Sequence, residues 1–143
     1  MPTIIFSDID GVLNGHEWCH VGGCRIRQDC LLCLNHLLYR TNARLVITSS
    51  WRHKIHNGLP LPAFSWVLRS HGLETNVHDV TPPGPDGPED RRNQIAAWLQ
   101  AHDNPPYLAL DDFPLLPLRS IRTNPSTGLR PHDVSAALKL LEP

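Results

Sequence analysis

A chain of 143 residues is long enough for one well-packed domain and too short for two ordinary ones. With 41% hydrophobic and 19% charged residues it has the composition of a globular protein, not of a disordered or fibrous one. A formal net charge of -1 excludes a broad cationic grip on nucleic acid, leaving room for at most a small basic site, and no run of about 18 apolar residues is present to cross a membrane.

In chain order, TIIFSD (3–8) predicts a short buried strand, and residues 15–27 a flap. DCLLCLNHLLYR (29–40) predicts a helix with Leu31, Leu34 and Leu38 on one face and Asp29 placed to cap it. ARLVITSS (43–50) predicts a second buried strand, ending in hydroxyl residues. LPAFSWVLRSHG (61–72) predicts a helix stopped at Gly72. TNVHDV (75–80) predicts a poorer third strand. TPPGPDGPED (81–90) predicts a loop, because its four prolines and two glycines sustain neither ladder. PEDRRNQIAAWLQAH (88–102) predicts a helix with acids in its first turn, where the dipole favours them. PYLALDD (106–112) predicts a strand ending in paired acids, RSIRT (119–123) a last strand, and PHDVSAALKLLE (131–142) a closing helix with Pro131 at its first position.

Strand and helix alternate throughout residues 1–143, which predicts one α/β domain: a three-layer, Rossmann-like parallel sheet with helices on both faces. Ligands of such sheets bind outside the carboxyl ends of the strands. Three pairs of polar residues fall there: Asp8 and Asp10, Thr48 and Ser49, Asp111 and Asp112. Four carboxylates on one edge repel each other and call for a cation. An all-oxygen set favours Mg²⁺, which polarises a phosphoryl group and offsets its charge. One carboxylate can then attack phosphorus, while a second, two residues on, carries protons.

At this point the chain resembles the haloacid dehalogenase (HAD) superfamily of aspartate-nucleophile phosphohydrolases. DIDGV is similar to that family's first motif, LVITSS to its second and YLALDD to its fourth. The resemblance implies Asp8 as nucleophile and metal ligand, and Asp10 as general acid/base that ligates the metal through its backbone carbonyl. It further implies Thr48, with Ser49 as runner-up, on the phosphoryl oxygens, and Asp111 and Asp112 completing the metal site. The third motif supplies a cation; Arg91, four residues before Ile95, fits best, with Arg92 close behind. The longer pattern of TSSWR, RRNQIAAWL, YLALDD and RTNPSTGL resembles a small cap-less branch found within RNA-repair proteins. Arg130-Pro131 stands at a helix start where that branch often carries a Thr cap. A receiver domain, built from similar parts, places its acid pair first and its lone Asp later; here the order is inverted.

The gaps at 15–43 and 53–90 leave no room for a globular cap, so an open site is expected, taking a phosphorylated small molecule or macromolecular end. A module that binds phosphorylated ligands or a partner without catalysis is the alternative, and phosphorylated nucleic-acid ends are the alternative substrate. Arg52 is expected either on a phosphate or in a surface ion pair, and Trp51 in the core. Trp18 is expected to pack the flap, and His16 and His20 are not assigned a role. Cys19, Cys24, Cys30 and Cys33 read either as reduced thiols or as ligands of a structural zinc tying flap to helix. The opening MPTIIF lacks the form of a secretory signal, so a cytoplasmic location is expected by default.

Overall fold

The computed structural model describes residues 1–15 and 25–142, together with the backbone alone of 19–20 and 23–24. Strand β1 (Ile4–Ser7) is followed by a two-stranded antiparallel ribbon, β2 (Cys19–His20) with β3 (Gly23–Cys24), and by helix α1 (Gln28–Thr41). Then come β4 (Arg44–Ile47), α2 (Arg52–His56), α3 (Leu61–Ser70), β5 (Val77–Val80), α4 (Pro88–Ala101), β6 (Tyr107–Asp111), β7 (Ser120–Arg122) and α5 (Pro131–Leu141).

The main sheet runs β5-β4-β1-β6-β7, and every pair in it is parallel. β1 is buried along its whole length, as a central parallel strand covered on both faces should be. Its side chains alternate between two cores. Ile5, with Leu45, Ile47, Leu108 and Leu110, packs under the apolar residues of α1, α3 and α5. Ile4 and Phe6, with Val46 and Ala109, pack under Ile95, Trp98 and Leu99 of α4. Phe6 meets Trp98 edge to face at 5.4 Å between centroids. The fold is therefore the expected three-layer α/β sandwich, with α1, α3 and α5, joined by Ile55 of the short α2, on one face and α4 on the other. No cap is built among the described residues, nor is any of their helices long and apolar enough to cross a membrane.

From β1 the chain steps outward through β4 to β5, then returns over the α4 face to β6 on the far side of β1. The reversal places a topological switch point between β1 and β6, where such sheets open a crevice for ligands. Asp8 directly follows β1 there, and Asp111 ends β6.

Several local expectations are corrected. α2 is an additional helix; its five residues are too short to show a helical period. Asp29 is not the cap of α1, because the helix begins one residue earlier, with Arg27 at its N-cap. Asp29 instead accepts the Cys30 N–H at 2.9 Å and pairs with Arg27 at 3.0 Å and Arg130 at 3.1 Å. At the start of α5, Arg130 takes the capping position without a side-chain cap of its own, and its backbone N–H donates to Asp133 at 2.9 Å. Cys30 is buried and Cys33 half-buried, both as free thiols. Arg130 Nη2 donates to Cys30 Sγ at 3.2 Å. The other two cysteines of the zinc reading, with His16, Trp18 and His20, have side chains outside the described residues.

Candidate active site

The sheet register builds the site. β1 pairs with β4 as Ser7 with Ile47, and with β6 as Ser7 with Leu110. One step further along the same register, Asp8 lies between Thr48 and Asp111, with the Thr48 N–H on the Ser7 carbonyl at 3.0 Å and the Asp8 N–H on the Leu110 carbonyl at 3.1 Å. By alternation these three side chains continue the row of Phe6, Val46 and Ala109, which faces α4. On α4, Arg91 extends the buried stripe of Ile95, Trp98 and Leu99 by one turn. The acid row and the arginine therefore meet.

Arg91 Nη1 donates to Asp111 Oδ2 at 2.6 Å and lies 3.3 Å from Asp8 Oδ2. Asp8 Oδ1 accepts the Ile9 N–H at 2.7 Å, and Asp111 Oδ1 accepts the Phe113 N–H at 3.0 Å. Phe113 lies beneath the guanidinium, 4.9 Å from ring centroid to Cζ. Asp8 is 5% exposed, Asp111 1% and Arg91 3%. Burial pushes both carboxyls up, Asp8 to about 6 and Asp111 to about 8, against the lowering pull of Arg91. Burial acts to lower Arg91, but the neighbouring Asp8 and Asp111 outweigh it and raise it.

Asp112 completes the cluster. Carboxylate oxygens of Asp8, Asp111 and Asp112 all lie within 4.8 Å of one another. Gly11 explains how Asp112 comes so close: a Cβ at that position would stand 2.7 Å from Asp112 Cγ, and the backbone has φ +85. Only glycine meets both conditions without strain. Three carboxylates against one guanidinium leave an excess of negative charge in a poorly solvated crevice. A divalent cation with oxygen ligands suits that donor set, so the residues fit Mg²⁺.

The remaining expected site residues divide into those near the cluster and those directed elsewhere. Thr48 and Ser49 are buried at the end of β4; Thr48 Oγ1 has no partner, and Ser49 Oγ accepts the Trp51 N–H at 3.2 Å. The Asp10 carboxylate is exposed and stands outside the three-acid cluster. Arg92 is turned away, donating to the Pro114 carbonyl at 2.8 Å. Arg52 departs furthest from expectation. It is fully buried, and its guanidinium donates to Pro82 O at 3.0 Å, Gly84 O at 3.1 Å, Ser49 O at 3.1 Å and Asp86 Oδ1 at 2.8 Å. Its ion pair with Asp86 runs from a buried guanidinium to a partly exposed carboxylate rather than across the surface, and Arg52 clasps the Pro-rich loop to the end of β4. Gln94 Nε2 holds the same loop through Pro85 O at 2.8 Å.

Trp51 packs against the larger core, as expected, but only from its edge. It is half-buried, and its indole Nε1 donates to Asp10 Oδ2 at 3.2 Å. Sequence reasoning also passed over Asn14, whose Nδ2 donates to Asp10 Oδ1 at 2.9 Å. The one local signal for Trp51 is its place three residues beyond Thr48, where the chain leaves the strand at the rim of the site.

Acids that follow β1 and end β6 thus meet at the switch point of a parallel sheet, as in an HAD-like domain. The family model for the HAD domain in Swiss Army Knife RNA repair proteins matches residues 4–134, and the chain belongs to that family. Comparison with curated proteins and with solved structures yields no match.

Proposed function

We propose that the domain is a phosphohydrolase that cleaves phosphate monoesters in an open site, with Asp8 as nucleophile and Asp10 as proton carrier. The observation that carries this reading is the Arg91 guanidinium joined to Asp8 and Asp111 inside a three-acid cluster. That arrangement orients one carboxylate and leaves excess negative charge for a metal to balance. Two buried donors without acceptors, Thr48 Oγ1 and Arg91 Nε, support an oxygen-rich ligand beside them.

Asp8 attacks phosphorus as the ester P–O bond breaks, and the departing oxygen takes its proton from Asp10. Asp10, now a carboxylate, accepts a proton from the water that attacks the phosphoryl group on Asp8. Inorganic phosphate leaves and Asp8 is regenerated. Arg91 fixes the direction of Asp8 throughout and keeps Asp111 in place beside it. Mg²⁺, held by Asp8, Asp111 and Asp112, and by the Asp10 carbonyl as the family resemblance implies, would offset charge on the transferring group. The family's occurrence in RNA repair proteins supports phosphorylated nucleic-acid ends as substrates beside small esters.

The test is phosphate release with Mg²⁺ from a panel of esters that includes 3′- and 5′-phosphorylated oligonucleotides. Wild-type protein is expected to turn over at least one of them, and Asp8→Asn to abolish turnover while melting as a folded protein. More than a few per cent residual activity in the variant would remove Asp8 as nucleophile. A wild type inert on the whole panel, and not stabilised by Mg²⁺ with vanadate, would favour a module that binds without catalysis.

A further inference from the structure

We propose that Trp51 is a positioning residue that fixes the direction in which Asp10 gives and takes its proton; the inference rests on the reading of Asp10 as proton carrier. The Asp10 carboxylate is held from two parts of the chain. Oδ1 accepts from Asn14 Nδ2 at 2.9 Å, and Oδ2 from Trp51 Nε1 at 3.2 Å. Both neighbours are donors with no alternative. An indole N–H cannot accept a hydrogen bond. The Asn14 amide cannot usefully flip, because its Oδ1 already accepts the Gly11 N–H at 2.9 Å, which turns Nδ2 toward Asp10. Asn14 is itself buried.

A proton on Asp10 therefore finds no acceptor in either neighbour and is left to point outward, where a leaving oxygen or an attacking water arrives. Two donors, one on each carboxylate oxygen, also fix the plane of the group. Without Trp51 the exposed carboxylate turns about its Cβ–Cγ bond, held by Asn14 alone.

The indole is braced for this task. Its backbone N–H donates to Ser49 Oγ at 3.2 Å, at the end of β4, and Lys54 Nζ stands 5.2 Å over the ring centroid. The brace ties the direction of Asp10 to the same strand end that carries Thr48. Trp51 is half-buried, packing against the larger core while its Nε1 reaches Asp10 at the exposed rim.

Leaving groups provide the test. Departure of an alkoxide requires the proton from Asp10, whereas a nitrophenolate departs with little need of it. Trp51→Phe keeps an aromatic ring, smaller than the indole, and removes the N–H. On kcat/KM, which reports attack and leaving-group departure, Trp51→Phe is expected to lose about 30-fold with an alkyl phosphate, a fraction of the 10²–10⁴-fold that acid–base catalysis typically supplies. Loss with p-nitrophenyl phosphate is expected to stay within about threefold. In an Asp10→Ala background, Trp51→Phe is expected to add nothing further to the alkyl loss. Equal losses on both esters, no loss on either, or a further loss without Asp10 would each overturn the proposal while leaving the phosphatase reading intact. The alkyl phosphate is chosen from the panel esters that the wild type turns over, and a wild type inert on the whole panel would overturn that reading, and this inference with it.

Discussion

Replacing Arg52 by Met separates a clasp from a substrate contact. The side chain is wholly buried, and Met keeps most of the aliphatic volume while deleting the guanidinium. Asp86, with about two-fifths of its side chain exposed, regains water, so the lost ion pair counts for little. The Pro82 and Gly84 carbonyls rehydrate only if the loop lifts, and the Thr48 carbonyl, 3.3 Å from Nη1, remains inside. One or two acceptors left unmatched, at about 1–3 kcal/mol each, together with the freed loop give a loss of about 3 kcal/mol. For a domain of this size that corresponds to about 10 °C in Tm. Arg52→Lys keeps a charge but not the planar fork, and should recover about half of the loss. Urea unfolding followed by the fluorescence of the four tryptophans measures both variants. A loss below about 1 kcal/mol in Arg52→Met would refute the clasp. A raised KM at unchanged stability would return Arg52 to the substrate.

Two further predictions concern the acid cluster. Gly11→Ala should cost about 1–2 kcal/mol from its positive φ, and should weaken Mg²⁺ binding as the new methyl displaces Asp112; calorimetric titration with Mg²⁺ that matches wild type would contradict this. The pH dependence follows from the raised carboxyls. Asp8 and Asp111 titrate in the folded protein at about 6 and about 8, above their ordinary value of 3.8, so the folded state binds more protons than the unfolded. Their contribution to stability is complete below about pH 4 and is lost as pH rises through those two values. Metal-free protein should therefore melt progressively lower from pH 5 to 8.5, and saturating Mg²⁺ should raise Tm more at pH 8 than at pH 5. Asp111→Asn should flatten the metal-free slope; an unchanged slope would remove the buried pair as its cause.

Much of this architecture was legible in the residues. The apolar runs of TIIFSD, ARLVITSS and PYLALDD are central strands because parallel strands are buried on both faces, and a polar pair that ends such a run must lie at its carboxyl edge. Arg91 could be selected from its place one turn before Ile95, since a helical stripe carries its direction beyond the last apolar residue. Asp8, Asp111 and Asp112 meet as the alternation of strand and helix requires.

What the sequence could not determine is how side chains reach across segments that have no period. Nothing in TPPGPDGPED says that its carbonyls close around Arg52, because a loop takes its conformation from its partners and not from a repeating backbone pattern. The Asp10–Trp51 bond joins positions 41 residues apart, and depends on the turn that the chain makes after Ser49. Local order dictated which acids stand at the sheet edge. Only tertiary contact decided which neighbours orient them, because a single donor's direction is set by the packing of two segments and leaves no trace in either alone.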